Sequence, residues 1–277
     1  MMAIEVRIFD VVGGQMFVRY SGIDPARETI LFIHGIGESG LCFIETLTHP
    51  SLAEFNIVIP DLPGFGRSSE AETGDYSLEA QASRIGELLD LLEVESVHIV
   101  GHSMGGDIGT DFCERRSHAV RSFVNVEGNL TSADGFITRR AMEAERDGNF
   151  EEWLRGEFCH ETVVGWAIDS PSVIRYLASI HMCRSEAFRR SAREICQLNR
   201  LAPDGNGSIS GQRFMNLALP RKCFCWAAIS EDSKLFLSKN SIPNREFPGA
   251  SHWVMIDAAD DFYAYVAEFV SDCSVSR

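Results

Sequence analysis

A serine stands in the middle of a glycine-rich pentapeptide. Residues 101–105 read GHSMG, which fits the pattern Gly-x-Ser-x-Gly, and Gly106 follows directly. Between a strand and a helix, this pattern forms a sharp turn that exposes the serine oxygen and leaves no room for neighbouring side chains. The preceding SVHIV run predicts the strand, and residues 104–116 predict the helix. Ser103 is therefore predicted to be a nucleophile beside a helix N-terminus, which can stabilise a developing oxyanion.

A serine nucleophile needs a neighbouring base, because its free hydroxyl is barely ionised at neutral pH. The chain has 8 histidines. His252 follows a glycine-containing turn in the segment GASHW (residues 249–253) and lies C-terminal to Ser103, as the base of such a pair does in chain order. We therefore predict that His252 is the general base. His34 and His102 lie in the motif loops themselves, and we expect them to pack around the site.

Four segments together resemble the α/β-hydrolase fold superfamily of esterases, lipases and haloalkane-dehalogenase-like enzymes. Besides GHSMG and GASHW, they are FIHGIG (residues 32–37) and PDLPGFGRS (residues 60–68). The resemblance implies an α/β fold, with a mostly parallel central sheet flanked by helices and an inserted helical cap. It also implies that backbone N–H groups of Ile36 and Met104 form an oxyanion hole, and that no metal or organic cofactor is required.

The acid that orients His252 has two candidate positions in this family. One follows the strand near residue 229, where the run is SEDS; Ser233 stands at the expected acid position and Asp232 is one residue short. The other follows the strand after the nucleophile helix, where Glu127 comes directly after SFVNV. A carboxylate at the end of a buried strand needs a partner, and His252 would supply one. We favour Glu127 and keep Asp232 as the alternative.

Short apolar runs that alternate with amphipathic stretches predict the sheet and its helices. The middle runs are continuously apolar, which is typical of parallel strands buried on both faces. Leu78, Ala82, Ile85, Leu89 and Leu92 recur at helical spacing, and Ser77 is a suitable N-cap. The predicted strands are residues 6–9, 17–20, 30–33, 57–59, 97–100, 123–126 and 224–229, and a final helix is predicted over residues 260–270.

The pattern changes after about Leu130. Residues 134–215 are rich in Arg and Glu and have apolar residues at helical spacing, with no strand-like run. One predicted buried helix face consists of Ile174, Leu177, Ala178 and His181. We therefore predict a catalytic core formed by residues 1–129 and 216–277, and a helical cap formed by residues 130–215.

The predicted cap carries large apolar side chains. Some of them should line the roof of the pocket, which favours a largely apolar substrate of modest size. The aromatic and methionine candidates are Trp153, Phe158, Trp166, Met142, Met182 and Met215.

Composition excludes several classes of partner. The chain has 277 residues, 45% of them hydrophobic and 23% charged, as in an ordinary globular protein. Its net charge of −15 makes nucleic acid and anionic membrane surfaces poor partners. No apolar run approaches the roughly 18 residues of a membrane span. The sequence leaves the oligomeric state open.

The cysteines favour a reducing compartment. There are 8 of them, with no Cys-x-x-Cys pair that would indicate a metal site or a redox motif. The first residues, MMAIEVRIFD, lack the basic and apolar regions of a signal peptide. We therefore predict a cytoplasmic protein with reduced, mainly buried thiols.

The combined prediction is a serine hydrolase that cleaves a small, apolar carboxylic ester or lactone. The same residues would suit a C–C bond hydrolase of ring-cleavage products, and amidase or peptidase activity stays open. A small-ligand receptor on the same fold is an alternative of another class. Ser103 argues against dehalogenase and epoxide hydrolase chemistry, because those relatives use a carboxylate nucleophile in the elbow.

Overall fold

One eight-stranded sheet forms the centre of the computed structural model, which describes residues 4–170 and 172–274. The strand order is β1-β2-β4-β3-β5-β6-β7-β8, and β2 pairs antiparallel with both of its neighbours while the other pairs are parallel. The strands are β1 (Glu5–Val11), β2 (Gly14–Tyr20), β3 (Thr29–Ile33), β4 (Asn56–Pro60), β5 (Val97–His102), β6 (Val120–Val126), β7 (Lys222–Trp226) and β8 (Asn244–Glu246).

The middle of the sheet is buried along its whole length. Every residue of β3, β4 and β5 is buried, because helices cover both faces of these parallel strands. The carboxyl ends of β3, β5, β6 and β7 therefore meet at one edge, where open α/β sheets bind their ligands.

The described residues form eleven α-helices, and a π-helical stretch, Trp153–Val163, separates the fourth from the fifth. They are α1 (Leu78–Leu91), α2 (Met104–Arg115), α3 (Phe136–Arg146), α4 (Phe150–Glu152), α5 (Val164–Asp169), α6 (Val173–Met182), α7 (Ser185–Leu198), α8 (Ile209–Asn216), α9 (Glu231–Lys239), α10 (Val254–Asp257) and α11 (Ala259–Ser274).

Helix α1 begins as the sequence predicts. The Ser77 hydroxyl accepts a hydrogen bond from the Ala80 N–H at 3.2 Å, which satisfies a donor that the first turn leaves free. Leu78, Ala82, Ile85 and Leu89 of the predicted apolar face are all buried, whereas Leu92 follows the last residue of the helix and is half-buried.

Helices α3 to α8 all lie between β6 and β7. Inside this segment, Trp153 stacks on Phe158 with ring centroids 4.9 Å apart, and Phe188 lies against both rings. Such aromatic packing gives the segment an apolar core of its own.

The predicted buried face of α6 is wrong by one position. Val173, Tyr176 and Ile180 are buried, whereas Ile174 is 57% exposed. Both sets of residues recur at helical spacing, so periodicity alone could not decide between two adjacent stripes.

Two strands differ from the prediction. Strand β7 ends at Trp226 and not at residue 229, because the next backbone N–H groups turn away from the sheet and bind a side chain. Strand β8 (Asn244–Glu246) was missed, since its three residues are polar and exposed and carry no apolar signal.

The described thiols are reduced. Seven cysteines are free; six of them are buried and Cys196 is half-buried, whereas the side chain of Cys273 lies outside the described part. No helix within the described ranges is long and apolar enough to cross a membrane. The cytoplasmic location stays a prediction.

Gly105 provides a test of the close packing at the start of α2. A Cβ at this position would lie 2.2 Å from the Ile33 carbonyl oxygen of β3, and backbone cannot move aside cheaply. Gly105→Ala should therefore cost roughly 2–3 kcal/mol of folding free energy and lower the melting temperature by about 5–10 °C.

Gly156→Ala is the matched control for this change. It lies in the π-helical stretch, where a Cβ would meet nothing within 4 Å. Thermal unfolding followed by circular dichroism compares the two variants, and equal melting temperatures would contradict the packing argument.

Candidate active site

Ser103 occupies the turn between β5 and α2. Its backbone has φ 52° and ψ −116°, an uncommon conformation for a residue with a Cβ. Its N–H donates to the Val126 carbonyl of β6 at 2.8 Å, which ties the turn to the neighbouring strand. The predicted strand–turn–helix arrangement around Ser103 is therefore present.

The surrounding glycines allow this turn to form. A Cβ at Gly101 would lie 2.3 Å from the Gly105 carbonyl oxygen, and a Cβ at Gly106 would lie 2.3 Å from an Asn125 side-chain oxygen. Real Cβ atoms do not approach this closely, so glycine is required where strand, turn and helix meet.

Glu127 follows β6 as Ser103 follows β5. Its φ is 51°, and its N–H donates to the Cys225 carbonyl of β7 at 2.9 Å. One side-chain oxygen accepts hydrogen bonds from the Ala227 and Ala228 N–H groups at 2.5 and 2.8 Å. The other oxygen lies 3.1 Å from His252 Nδ1. The geometry thus brings the favoured acid and the predicted base together.

The two groups shift each other's pKa. Burial alone raises the pKa of Glu127, but the His252 imidazole and the two backbone N–H groups outweigh it and hold the pKa below its ordinary value. For His252, burial lowers the pKa, whereas the hydrogen bond and the charge of Glu127, with smaller effects from Glu38 and Asp134, raise it overall. The His252 side chain is 35% exposed, so it is open to the site.

The alternative acid lies elsewhere. Asp232 is exposed in the first turn of α9. Ser233 stands where the family pattern has an acid. It is buried and donates its hydroxyl to Asp134 at 2.8 Å. The structure therefore brings Glu127, and not Asp232, to His252.

The two predicted oxyanion-hole residues flank Ser103. Met104 is the first residue of α2, so its N–H has no acceptor within the helix. Ile36 lies in the loop after β3 and lines the same cavity as Ser103. Both N–H groups therefore lie in segments next to the candidate nucleophile.

Ser103, Glu127 and His252 line one cavity of about 490 Å³. Its wall is mainly apolar, and within the described residues no lysine or arginine contributes to it. The apolar side chains are Ile36, Ala133, Phe136, Ile137, Trp166, Ile195, Ala228, Ile229 and Trp253. This volume lies in the range of roughly 300–1,000 Å³ that is usual for small-molecule sites.

The predicted roof is only partly the observed one. Trp166 lines the cavity, but Trp153 and Phe158 pack within the helical segment. Met142, Met182 and Met215 do not contribute to the described wall. Phe136 and Ile137, at the start of α3, also line it, although they were not predicted to. They do not belong to the aromatic cluster of the helical segment.

Glu38 is a buried residue of the site that sequence reasoning missed. It lies two residues after Ile36, and its carboxylate accepts hydrogen bonds from the Gly35 N–H and the Trp253 indole, both at 2.6 Å. The signal was available, because an acidic residue inside a buried loop needs proton donors close by.

Sequence comparison places the chain in a known family. The family model for the alpha/beta hydrolase fold matches residues 28–158. The chain belongs to the α/β-hydrolase fold superfamily. An uncharacterised protein of Mycobacterium tuberculosis is 32% identical over 200 residues, which are 67% of this chain and 57% of that protein. Lipase 1 of Psychrobacter immobilis is 34% identical over 120 residues, 43% of this chain and 37% of the lipase.

The chain therefore spans little more than half the length of these curated relatives, or less. Among solved structures, haloalkane dehalogenase DbeA from Bradyrhizobium elkani aligns with a TM-score of 0.78 at 18% identity, covering 99% of this chain and 100% of that one. At this identity the likeness shows the fold, which confirms the predicted α/β class with its mostly parallel sheet.

Exchanging the carboxylates for amides distinguishes the two candidate acids. Glu127→Gln should lower kcat by roughly a hundredfold or more, because the amide cannot stabilise the imidazolium that forms as Ser103 reacts. Asp232→Asn is the control, since its exposed side chain lies away from His252. Steady-state kinetics on an activated ester measure both; near-normal turnover in Glu127→Gln would contradict the assignment.

The pH profile should report the Glu127–His252 contact. His252 must be neutral to accept a proton, so kcat/KM should rise with pH through its pKa, which lies above the ordinary 6.5. In Glu127→Gln, the midpoint of this rise should shift to lower pH, because the negative charge that raises the pKa of His252 is gone. An unchanged midpoint would mean that another group controls the titration.

Proposed function

We propose that this protein is a serine hydrolase of small, largely apolar, uncharged carboxylic esters or lactones. One observation supports this proposal above all: Ser103 and His252, which is hydrogen-bonded to Glu127, line the same apolar cavity. Ser103 acts as nucleophile, His252 as general base and acid, and Glu127 as the carboxylate that orients His252.

The reaction proceeds by two acyl transfers. His252 accepts the proton of Ser103 as its oxygen attacks the carbonyl carbon, and the N–H groups of Ile36 and Met104 stabilise the oxyanion. His252 then protonates the leaving alcohol. Water, activated by the same imidazole, hydrolyses the acyl-enzyme and restores Ser103.

The charges of the cavity favour an uncharged substrate. Glu127 and Asp134 both line it, and no lysine or arginine of the described residues does; the one titratable base in the wall, His252, must be neutral to accept a proton. Asp134 itself is occupied, since it accepts hydrogen bonds from the Leu130 and Thr131 N–H groups at 2.9 Å. A substrate carboxylate would meet two negative charges, which disfavours the anionic products that oxidative ring cleavage leaves for C–C hydrolases.

The helical segment between β6 and β7 acts as the cap in this proposal. Phe136, Ile137, Trp166 and Ile195 contribute to the cavity from that segment, whereas the reacting groups belong to the core. We therefore assign residues 130–215 to the cap and residues 1–129 and 216–277 to the catalytic core.

Replacement of the nucleophile tests the proposal. Wild-type protein should hydrolyse short-chain p-nitrophenyl esters and simple lactones, and Ser103→Ala should reduce kcat by roughly a millionfold, to background. A fluorophosphonate probe should label wild-type protein at Ser103 and leave the variant unlabelled.

The substrate series should include an acyl chain of equal length that ends in a carboxylate. We expect kcat/KM for this anionic substrate to be at least about tenfold lower than for the neutral one. A protein that turns over no member of the series, but is stabilised thermally by one, would be a receptor and not an enzyme. Preference for the anionic substrate would contradict the charge argument.

A further inference from the structure

Glu38 joins three segments of the proposed site. Its carboxylate accepts hydrogen bonds from the Gly35 N–H in its own loop and from the Trp253 indole in the loop that carries His252. It also lies 2.9 Å from Nδ1 of His102, the residue before the nucleophile. Glu38 is only 2% exposed, and His102 is fully buried.

His102 contacts an acceptor on each side of its ring. Nδ1 faces the Glu38 carboxylate, and Nε2 lies 3.0 Å from the backbone carbonyl oxygen of His252. A carbonyl oxygen accepts hydrogen bonds and has no proton to donate, and an ionised carboxylate is likewise only an acceptor. Both contacts are hydrogen bonds only when both ring nitrogens carry protons, which is the imidazolium form.

His34 shows the opposite arrangement in the same protein. It is as deeply buried as His102, but its Nδ1 faces the Gly35 carbonyl oxygen at 2.8 Å while its Nε2 accepts the Leu62 N–H at 3.0 Å. One donor and one acceptor define a neutral ring. Burial, the largest influence on His34, lowers its pKa in agreement with this state.

We propose that Glu38 and His102 form a buried carboxylate–imidazolium pair that positions the three segments carrying Ile36, Ser103 and His252. The pair lies directly behind the reacting groups, with the His102 and His252 rings 4.7 Å apart. Neither residue contacts the substrate; both are positioning residues. This inference rests on the proposed function for its catalytic consequence, but not for the charge state of His102.

The other titratable groups near the pair do not neutralise the negative charge of Glu38. Cys42 and Tyr176 lie near Glu38, and burial raises the pKa of both well above their ordinary values, so they stay neutral. His34 is neutral by its hydrogen bonds. The remaining neighbour is His252, whose charge is already matched by Glu127. His102 is therefore the charged partner of Glu38.

The charge state of His102 can be measured without any substrate. Nitrogen-15 NMR of histidine-labelled protein distinguishes an imidazolium from each neutral tautomer. In wild-type protein, one buried ring should carry both protons under conditions in which the solvent-exposed histidines are neutral, and it should become neutral in Glu38→Gln. His34 serves as the internal neutral reference.

His102→Gln assigns the signal by removing it. Where that variant fails to fold, the wild-type spectrum still decides, because the inference requires one doubly protonated ring when the solvent-exposed histidines are neutral. Absence of such a ring would overturn the proposal.

Kinetics test the positioning role. Glu38→Gln should lower kcat by roughly tenfold to a hundredfold, with KM changed less than about threefold, because the reacting groups lose alignment while the cavity wall persists. Glu28→Gln is the matched control: Glu28 lies 3.7 Å from the buried His98, at the opposite end of β5.

Equal kcat values for the two variants would overturn the positioning role. If no ester or lactone is hydrolysed even by wild-type protein, the proposed function fails, while the NMR result still decides whether the ion pair exists.

Discussion

Two carboxylates lie out of water at the carboxyl edge of the sheet, and each needs proton donors to remain ionised there. A buried ion without partners costs several kcal/mol. Glu127 obtains two backbone N–H groups and an imidazole, and Glu38 obtains an N–H group, an indole and an imidazole. Because these donors come from the loops after β3 and β7, from the last residue of β5 and from the loop before α10, satisfying the two charges fixes the relative positions of these segments.

The backbone strain at this edge follows from the same requirement. Ser103 and Glu127 both have positive φ, and both donate their N–H to the next strand. Each such conformation costs on the order of 1–3 kcal/mol. The hydrogen bonds on either side hold these residues in place, so their side chains leave the sheet at a defined angle and reach the cavity.

Much of this arrangement was readable from sequence, because its parts carry local signals. Apolar runs located seven of the eight strands, and the glycines around Ser103 required one kind of turn. Glu127 was favoured because a carboxylate that ends a buried strand must find a donor. The same rule, applied to the loop after β3, would have found Glu38.

The missed features depend on contacts between distant residues. The buried face of α6 is chosen by what α6 packs against, and two stripes of its sequence are equally apolar. Strand β7 stops early because Glu127, about a hundred residues before it, binds the next two N–H groups. The aromatic residues of the helical segment were predicted to line the roof of the cavity. Most of them pack on each other instead, since a segment of this length needs its own core.

Ala228, one of the two residues whose N–H groups bind Glu127, has a second role. Ala228 holds Glu127 through its main chain, while the residue itself lines the cavity. The main-chain contact is indifferent to which side chain is present, with the exception of proline, which has no N–H. A change of side chain at position 228 can therefore alter the shape of the cavity while the hydrogen bond that holds Glu127 persists, so that cavity shape and carboxylate position can vary independently at one residue.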